Sequence, residues 1–218
     1  AVGILPASIE LLGPSGAAAE LLAEGVAYDG LRLHHKDRLI ADLRFATVGD
    51  GDSFILGLPQ DRTEAILAGR LAAHGGQVRY GMEVTGLRET TNAVVVAFGD
   101  GTVREYDHVL AADGVRSTVR GILGLPFDGI DLPDEWSIAD VDATGWRYPQ
   151  SFSLFLVEAG GMAVVAPMAP GRYRVVANRP DALATLPVSL DITRIRRQAT
   201  FRISVRQLRS YSVGRVHL

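Results

Sequence analysis

The 218-residue chain has no cysteine. That excludes disulfides, thiol nucleophiles and thiolate metal sites, and it fits a cytoplasmic protein. No apolar run approaches the roughly 18 residues that span a bilayer; Ala93 to Phe98 and Met162 to Met168 are strand-sized. No secretory signal is visible at Ala1. The net charge of −3 gives no electrostatic case for nucleic acid or an anionic membrane as partner. None of His34, His35, His74, His108 and His217 stands at metal-ligand spacing from another histidine or a carboxylate. All five read as structural, and no metal is expected. A Gly-x-Ser-x-Gly elbow is also missing, so a hydrolase of that type has no support.

What is present suits one large domain or two small ones, with 47% hydrophobic residues to build a core. Ile4 to Leu12 and Ala17 to Ala23 read as helices. Leu31 to His34 and Leu39 to Phe45 read as strands, and Gly49 to Ser53 as a loop. Asp61 to His74 is the clearest helix, with Leu67, Leu71 and His74 on one stripe and Gly75-Gly76 ending it. Gln77 to Tyr80, Val84 to Arg88, Ala93 to Phe98 and Thr102 to Tyr106 read as strands. Asp100-Gly101 turns the last two into a hairpin. Beyond Phe127 a loop is expected over Asp128 to Pro133, followed by antiparallel strands from Ser137 to Ala177. Ser189 to Arg197 is ambiguous, and strands return at Phe201 to Val205 and Arg215 to Leu218. The pattern is α/β to about Leu125 and mostly β afterwards, which points to a mainly antiparallel β region inserted into an α/β domain.

One segment carries chemistry. Val109 to Ala112 is a short strand that stops at Asp113-Gly114, and a helix opens near Ser117. Ala111 and Ala112 let another layer approach the strand end. Gly114 permits a backbone angle that a side chain would resist. Ser117 can cap the helix, and Arg120 shares its face. Asp113 stands as an acceptor at the carboxyl end of a strand, where open α/β sheets bind ligands. A plain β-turn-α connection with a helix cap would use the same residues.

Asp113, Gly114, Ser117 and Arg120 fill every slot of the Asp-Gly-x-x-Ser-x-x-Arg fingerprint of the para-hydroxybenzoate hydroxylase-like, FAD-dependent aromatic hydroxylases, which this chain resembles. The likeness runs on in order. Leu58-Pro59-Gln60 with Thr63, Glu64 and Leu67 resembles that family's Gln-bearing helix start. Val78 to Leu87 resembles the strand pair after it, Ala93 to Tyr106 the β-meander, and Gly124 to Gly129 the exit from the fingerprint helix. Gly3 to Leu12 looks like the helix after an early arginine loop, and Gly214 to Leu218 like the strand leading to a Gly-Asp-Ala-x-His motif. The family's Gly-x-Gly-x-x-Gly, which seats the pyrophosphate on a helix N-terminus, would lie before Ala1, and its Gly-Asp motif just after Leu218. The expectation is therefore the interior of a longer flavoprotein, against a short protein that has lost FAD.

The resemblance implies a Rossmann-like FAD-binding domain, discontinuous and incomplete, over residues 1–25, 59–127 and 206–218. A substrate-binding β-sheet domain would take residues 26–58 and 128–205. It implies a monooxygenase in which NADH or NADPH reduces FAD, and the reduced flavin takes up O2 as a C4a-hydroperoxide to hydroxylate an aromatic ring. The cofactor would carry the hard chemistry and the protein would supply position and a dry cavity. A homodimer is left open. The alternatives are a related halogenase or reductase, or a non-catalytic domain without FAD. A halogenase would carry a catalytic lysine, and Lys36, the only lysine, falls on a hairpin turn.

Each implied site residue has a plainer reading. Gln60 would hydrogen-bond a ribose or ribityl hydroxyl, or be an exposed helix cap. Val84 would lie over the adenine side. Asp113 would serve the pyrophosphate region through an arginine from elsewhere, or be a turn residue. Arg116 and Arg120 would hold phosphates bidentately, or form surface salt bridges. Phe152 to Val165, with Leu156, Glu158 and Val164, resembles the substrate-pocket wall. Where benzoate-type members place a Ser and an Arg for a substrate carboxylate, this chain has Leu156 and Glu158. That favours a phenolic or larger apolar aromatic, unless Leu156 is core and Glu158 a turn residue. The arginine run from Arg194 to Arg209 would be a solvated face or would steer an anionic cofactor.

Overall fold

The computed structural model describes residues 3–45 and 54–218, so the loop expected at Gly49 to Ser53 lies outside the described residues. The N-terminal part runs β1 (Gly3–Ile4), α1 (Pro6–Leu12), α2 (Ala17–Glu24), β2 (Val26–Tyr28), β3 (Gly30–His35), β4 (Arg38–Arg44), β5 (Ile55–Gly57) and α3 (Gln60–Ala73). Pro6 starts α1, where its missing N–H costs nothing. Then come β6 (Val84–Glu89), β7 (Val94–Phe98), β8 (Val103–Tyr106), β9 (Val109–Leu110) and α4 (Thr118–Ile122). The remainder is β10 (Asp128–Thr144), β11 (Phe152–Leu156), β12 (Met162–Ala169), β13 (Arg172–Ala177), α5 (Ala182–Thr185), β14 (Asp191–Gln207), β15 (Ser212–Val213) and β16 (Val216–His217). The mixed α/β class is the one expected from the sequence.

Two compact units divide the chain: Ala1–Gln77 with Pro133–Arg202, and Val78–Leu132 with Ile203–Leu218. In the first unit, a sheet of order β14-β10-β13-β12-β11-β3-β4 is antiparallel along β10-β13-β12-β11, while β3 joins β11 in parallel. The two-residue alternation of side chains along these strands places the buried Phe155, Ala163, Val165, Val175 and Val141 on one face. A second core gathers Ile9, Ala17, Leu21, Leu56, Leu58 and Ile66 under α1 to α3. The stripe of Leu67 and Leu71 on α3 is exposed, and Ile66 makes the core contact instead.

The second unit holds the meander β6-β7-β8 and the sheet β15-β16-β9. Asp100 accepts from the Thr102 amide at 2.9 Å and closes the expected hairpin turn. Val119 of α4 is buried with Val94, Val96 and Val216, so the fingerprint helix is packed onto the meander. Three readings are corrected. Gln77 to Tyr80 forms no strand. Asp128 to Pro133 is no loop but the first part of β10, and the ambiguous Ser189 to Arg197 segment belongs to β14. In all three, sheet pairing rather than local propensity decides.

Gly57 shows how tightly the first unit is closed. Tyr28 donates its hydroxyl to the Pro167 carbonyl at 2.6 Å, and a Cβ on Gly57 would stand 2.1 Å from that hydroxyl oxygen and 2.4 Å from the carbonyl oxygen. Overpacking plus loss of a buried hydrogen bond costs about 2 kcal/mol or more. Gly57→Ala should lower the thermal unfolding midpoint by several degrees in a calorimetric scan; an unchanged midpoint would contradict this packing.

Candidate cofactor and substrate sites

The fingerprint forms a hydrogen-bonded turn. The Asp113 carboxylate accepts from the Val119 amide at 3.1 Å, and Ser117 caps α4 by accepting from the Arg120 amide at 3.0 Å. Gly114 has φ 79°, in the left-handed region, with open space where a Cβ would go. Burial pushes the Asp113 carboxyl up, but the Ser117 hydroxyl and the Val119, Asp113 and Thr118 amides outweigh it and hold it below the usual carboxylate value. Arg120 turns back on the same turn. Its guanidinium donates to the Val115 carbonyl at 2.8 Å and lies 4.3 Å from the centre of the Phe127 ring. Arg116 is exposed, with no ion pair among the described residues.

A cleft of about 400 Å³ opens beside this turn, walled by Val84, Glu83, the β9 strand end through Ala112, and Asp113. Val84 and Asp113, distant in sequence, thus line one cleft. Val84 enters it at an irregularity in the β6–β7 register.

Gln60 lies in the other compact unit and lines a different cleft, of about 380 Å³. It begins α3, and its side-chain amide donates to Glu64 at 2.9 Å. The same cleft receives Arg172, Arg174, Arg194, Arg196 and Arg197. Arg174 is held bidentately by the buried Asp140 at 2.6 and 2.8 Å, and Arg172 reaches Asp61 at 3.1 Å. Asp140 and Arg174 escaped the sequence reading. Their signal was the two-residue spacing of Asp140 with Asp142 and of Arg172 with Arg174, which puts opposite charges on facing strand positions. The arginine run is also less basic than its composition suggests. Arg196 pairs with Asp142 at 2.6 Å, Arg206 with Asp131 at 2.9 Å and Arg209 with Asp128 at 3.2 Å.

Leu156 and Val164 share one face of the seven-stranded sheet, since Leu154 pairs with Val164 and Leu156 with Met162. It is the face opposite to Phe155 and Val165. Glu158 lies past the end of β11 and pairs with Lys36 at 2.6 Å. Its charge is therefore compensated, which removes it as a source of repulsion toward a carboxylate. Lys36 and Glu158 also account for one another without a catalytic lysine. His108 and His217, read separately from the sequence, come together: their Nδ1 and Nε2 atoms stand 3.2 Å apart because β9 and β16 run in parallel.

Among solved structures, p-nitrophenol 4-monooxygenase PnpA from Pseudomonas putida matches with a TM-score of 0.85 at 22% identity, over 100% of this chain and 61% of that one. The flavin-dependent monooxygenase PieE, solved with FAD and substrate, gives 0.81 at 18% identity, over 99% of this chain and 45% of that one. These likenesses define the fold, that of the flavin-dependent monooxygenases. In sequence, the chain is 29% identical to a flavin-dependent monooxygenase of Mycobacteroides abscessus, over 99% of this chain and 52% of the relative. It is 31% identical to the rifampicin monooxygenase of Streptomyces venezuelae, over 66% of this chain and 30% of the relative. Residues 1–183 match the FAD binding domain family, and the chain belongs to it. The chain spans about half or less of the length of these two curated relatives.

The Asp113 network makes a pH-dependent contribution. A carboxyl whose folded value is lowered stabilises fully above its unfolded value of about 4, and loses that effect as pH falls through the folded value. Asp113→Asn should therefore destabilise by about 1 kcal/mol at pH 7, with the gap to the parent closing as the pH drops below 4. Urea unfolding at several pH values checks this; a gap that ignores pH would contradict it.

Proposed function

We propose that this protein is the cofactor- and substrate-binding part of a flavin-dependent monooxygenase acting on a phenolic or larger aromatic substrate, with NADH or NADPH and O2 as co-substrates. The observation that carries the reading is the Asp113 turn opening on the cleft that Val84 also lines. The cleft fits the uncharged part of FAD. Its apolar wall suits the adenine ring, and a carboxylate with up to four acceptor sites keeps capacity for ribose hydroxyls after taking the Val119 amide. A pyrophosphate would meet Glu83 and Asp113 here, so its charge would reach Asp113 only through an intervening cationic side chain. Arg120, already donating to its own turn, holds that turn rigid, while Arg116 remains available to a phosphate.

Gln60 would donate or accept at a flavin ribityl hydroxyl, with Arg194 and Arg197 of its cleft supplying positive potential. When bound, FAD supplies the redox chemistry and the activation of oxygen. The chain's own part is to bind, orient and exclude water. Leu154, Leu156 and Val164 offer an apolar face to an aromatic ring, and the Lys36–Glu158 pair leaves no net charge beside it. We assign the FAD role to residues 1–25, 59–127 and 206–218 and the substrate role to 26–58 and 128–205, a division by task and not by compactness.

The test is the visible spectrum of the protein purified with its natural full-length sequence, followed by NAD(P)H oxidation with and without phenols. Flavin bands and phenol-stimulated oxidation are expected. Asp113→Ala should weaken FAD binding about tenfold or more, the loss of one charge-assisted hydrogen bond. A colourless protein that FAD cannot reconstitute would contradict the reading in favour of a non-catalytic domain. Oxidation that no phenol stimulates would favour a halogenase or a reductase.

A further inference from the structure

The apolar face assigned above to the substrate ends in a charged row. Ile138, Val176, Val164 and Leu154 stand opposite one another on β10, β13, β12 and β11, all half-buried on one side of the sheet. Two residues before Val176, on the same side of β13, is Arg174, with Asp140 opposite it on β10. Asp140 is buried and accepts from Nε and Nη2 of Arg174 at 2.6 and 2.8 Å. That clamp uses one edge of the guanidinium. The other terminal nitrogen, Nη1, has no hydrogen-bond partner among the described residues and is not closed off from solvent. Arg174 lines the cleft that Gln60 also lines. A rigidly held arginine thus offers open donors where an apolar surface ends.

We propose that Arg174 is a specificity-determining residue, which donates from Nη1 to an ionised ring oxygen of a phenolic substrate, and that Asp140 is a positioning residue acting through it. The proposal rests on the substrate role given above to residues 128–205. Successive side chains on one face of a strand are about 6.6 Å apart. That is close to what half a phenol ring, its oxygen and one hydrogen bond of about 2.9 Å span together. A ring lying on the Val176 row therefore brings its oxygen to Arg174. Charge favours the ionised form. Asp140 cancels Arg174, Asp61 takes Arg172 and Asp142 takes Arg196. Arg194 and Arg197 of the cleft are exposed and have no ion pair among the described residues. They outnumber the remaining carboxylate of the lining, Glu64, which accepts from Gln60. The Arg196 hydrogen bond, with the charges of Arg194 and Arg172, already holds the Asp142 carboxyl below its usual value against the effect of burial. An oxyanion entering the cleft meets the same field.

The test titrates the natural full-length protein, with and without FAD, with 4-nitrophenol, a dye that changes colour on ionisation. Dye bound to the parent should ionise about one pH unit below the free dye. Arg174→Gln should abolish that shift and weaken binding about tenfold. Binding of 4-nitroanisole, which has no ionisable oxygen, should be unchanged in the variant. Asp140→Ala should lose the shift and Asp140→Glu should recover most of it; a merely structural Asp140 would lower stability and leave the ionisation of bound dye as it was. Circular dichroism checks folding, and should Arg174→Gln unfold, Arg174→Lys decides, with an expected loss of about fivefold because the fork is gone. Absence of saturable dye binding would overturn the proposal. So would bound dye that ionises alike in the parent and the Arg174 variant, or an equal loss of 4-nitroanisole. Flavin bands are recorded in the same samples, so failure to bind FAD, which contradicts the cofactor reading, is distinguished from a dye response that ignores Arg174.

Discussion

A single carboxylate ties the end of a strand to the beginning of a helix. Asp113 leaves β9 and accepts from the Val119 amide inside the first turn of α4, while Ser117 caps the same turn. Gly114 supplies the left-handed backbone that lets the chain reverse between them. Val119, whose amide is held by Asp113, is also the residue that α4 buries in the core of its unit. Local hydrogen bonding and packing therefore fix the same residue. The cleft beside the turn inherits that rigidity, and a site held by its own backbone needs little reorganisation when a ligand arrives.

The first unit organises charge as the second organises a turn. Asp140 and Arg174, both largely buried, form a bidentate pair between adjacent strands, with Asp61 and Arg172 next to them. A buried pair of this kind is weak evidence for stability, since desolvation offsets much of the attraction. Its effect is to fix where the guanidinium groups of the Gln60 cleft point. Within the same unit, Arg196 of β14 is matched by Asp142 of β10.

Much of this was legible in the amino-acid sequence because the signals were local. Ser117 as a cap, Asp100-Gly101 as a hairpin turn and Gly75-Gly76 as a helix stop each depend on a few neighbouring residues. The strand at Asp128 to Pro133 was hidden because Gly129, Pro133 and two aspartates imitate a loop; only pairing within the sheet makes it extended. β5 was missed for a similar reason: three residues ending in glycine carry no visible period, and its burial comes from β1 and β2 on either side. The Asp140–Arg174 pair and the His108–His217 contact depend on strand register across long separations, which no local pattern records. Glu158 shows the same limit from another side. Its charge was readable, but the lysine that neutralises it sits 122 positions away.

The central claim is that the Asp113 turn and the Val84 wall together grip part of FAD. Hydrogen–deuterium exchange with and without FAD addresses it directly, amide by amide. The account predicts slower exchange at Leu110 to Val119 and at Met82 to Val84 when FAD is added, an effect lost in Asp113→Asn. Unchanged exchange at both segments, while FAD binds and protects other parts of the chain, would contradict it.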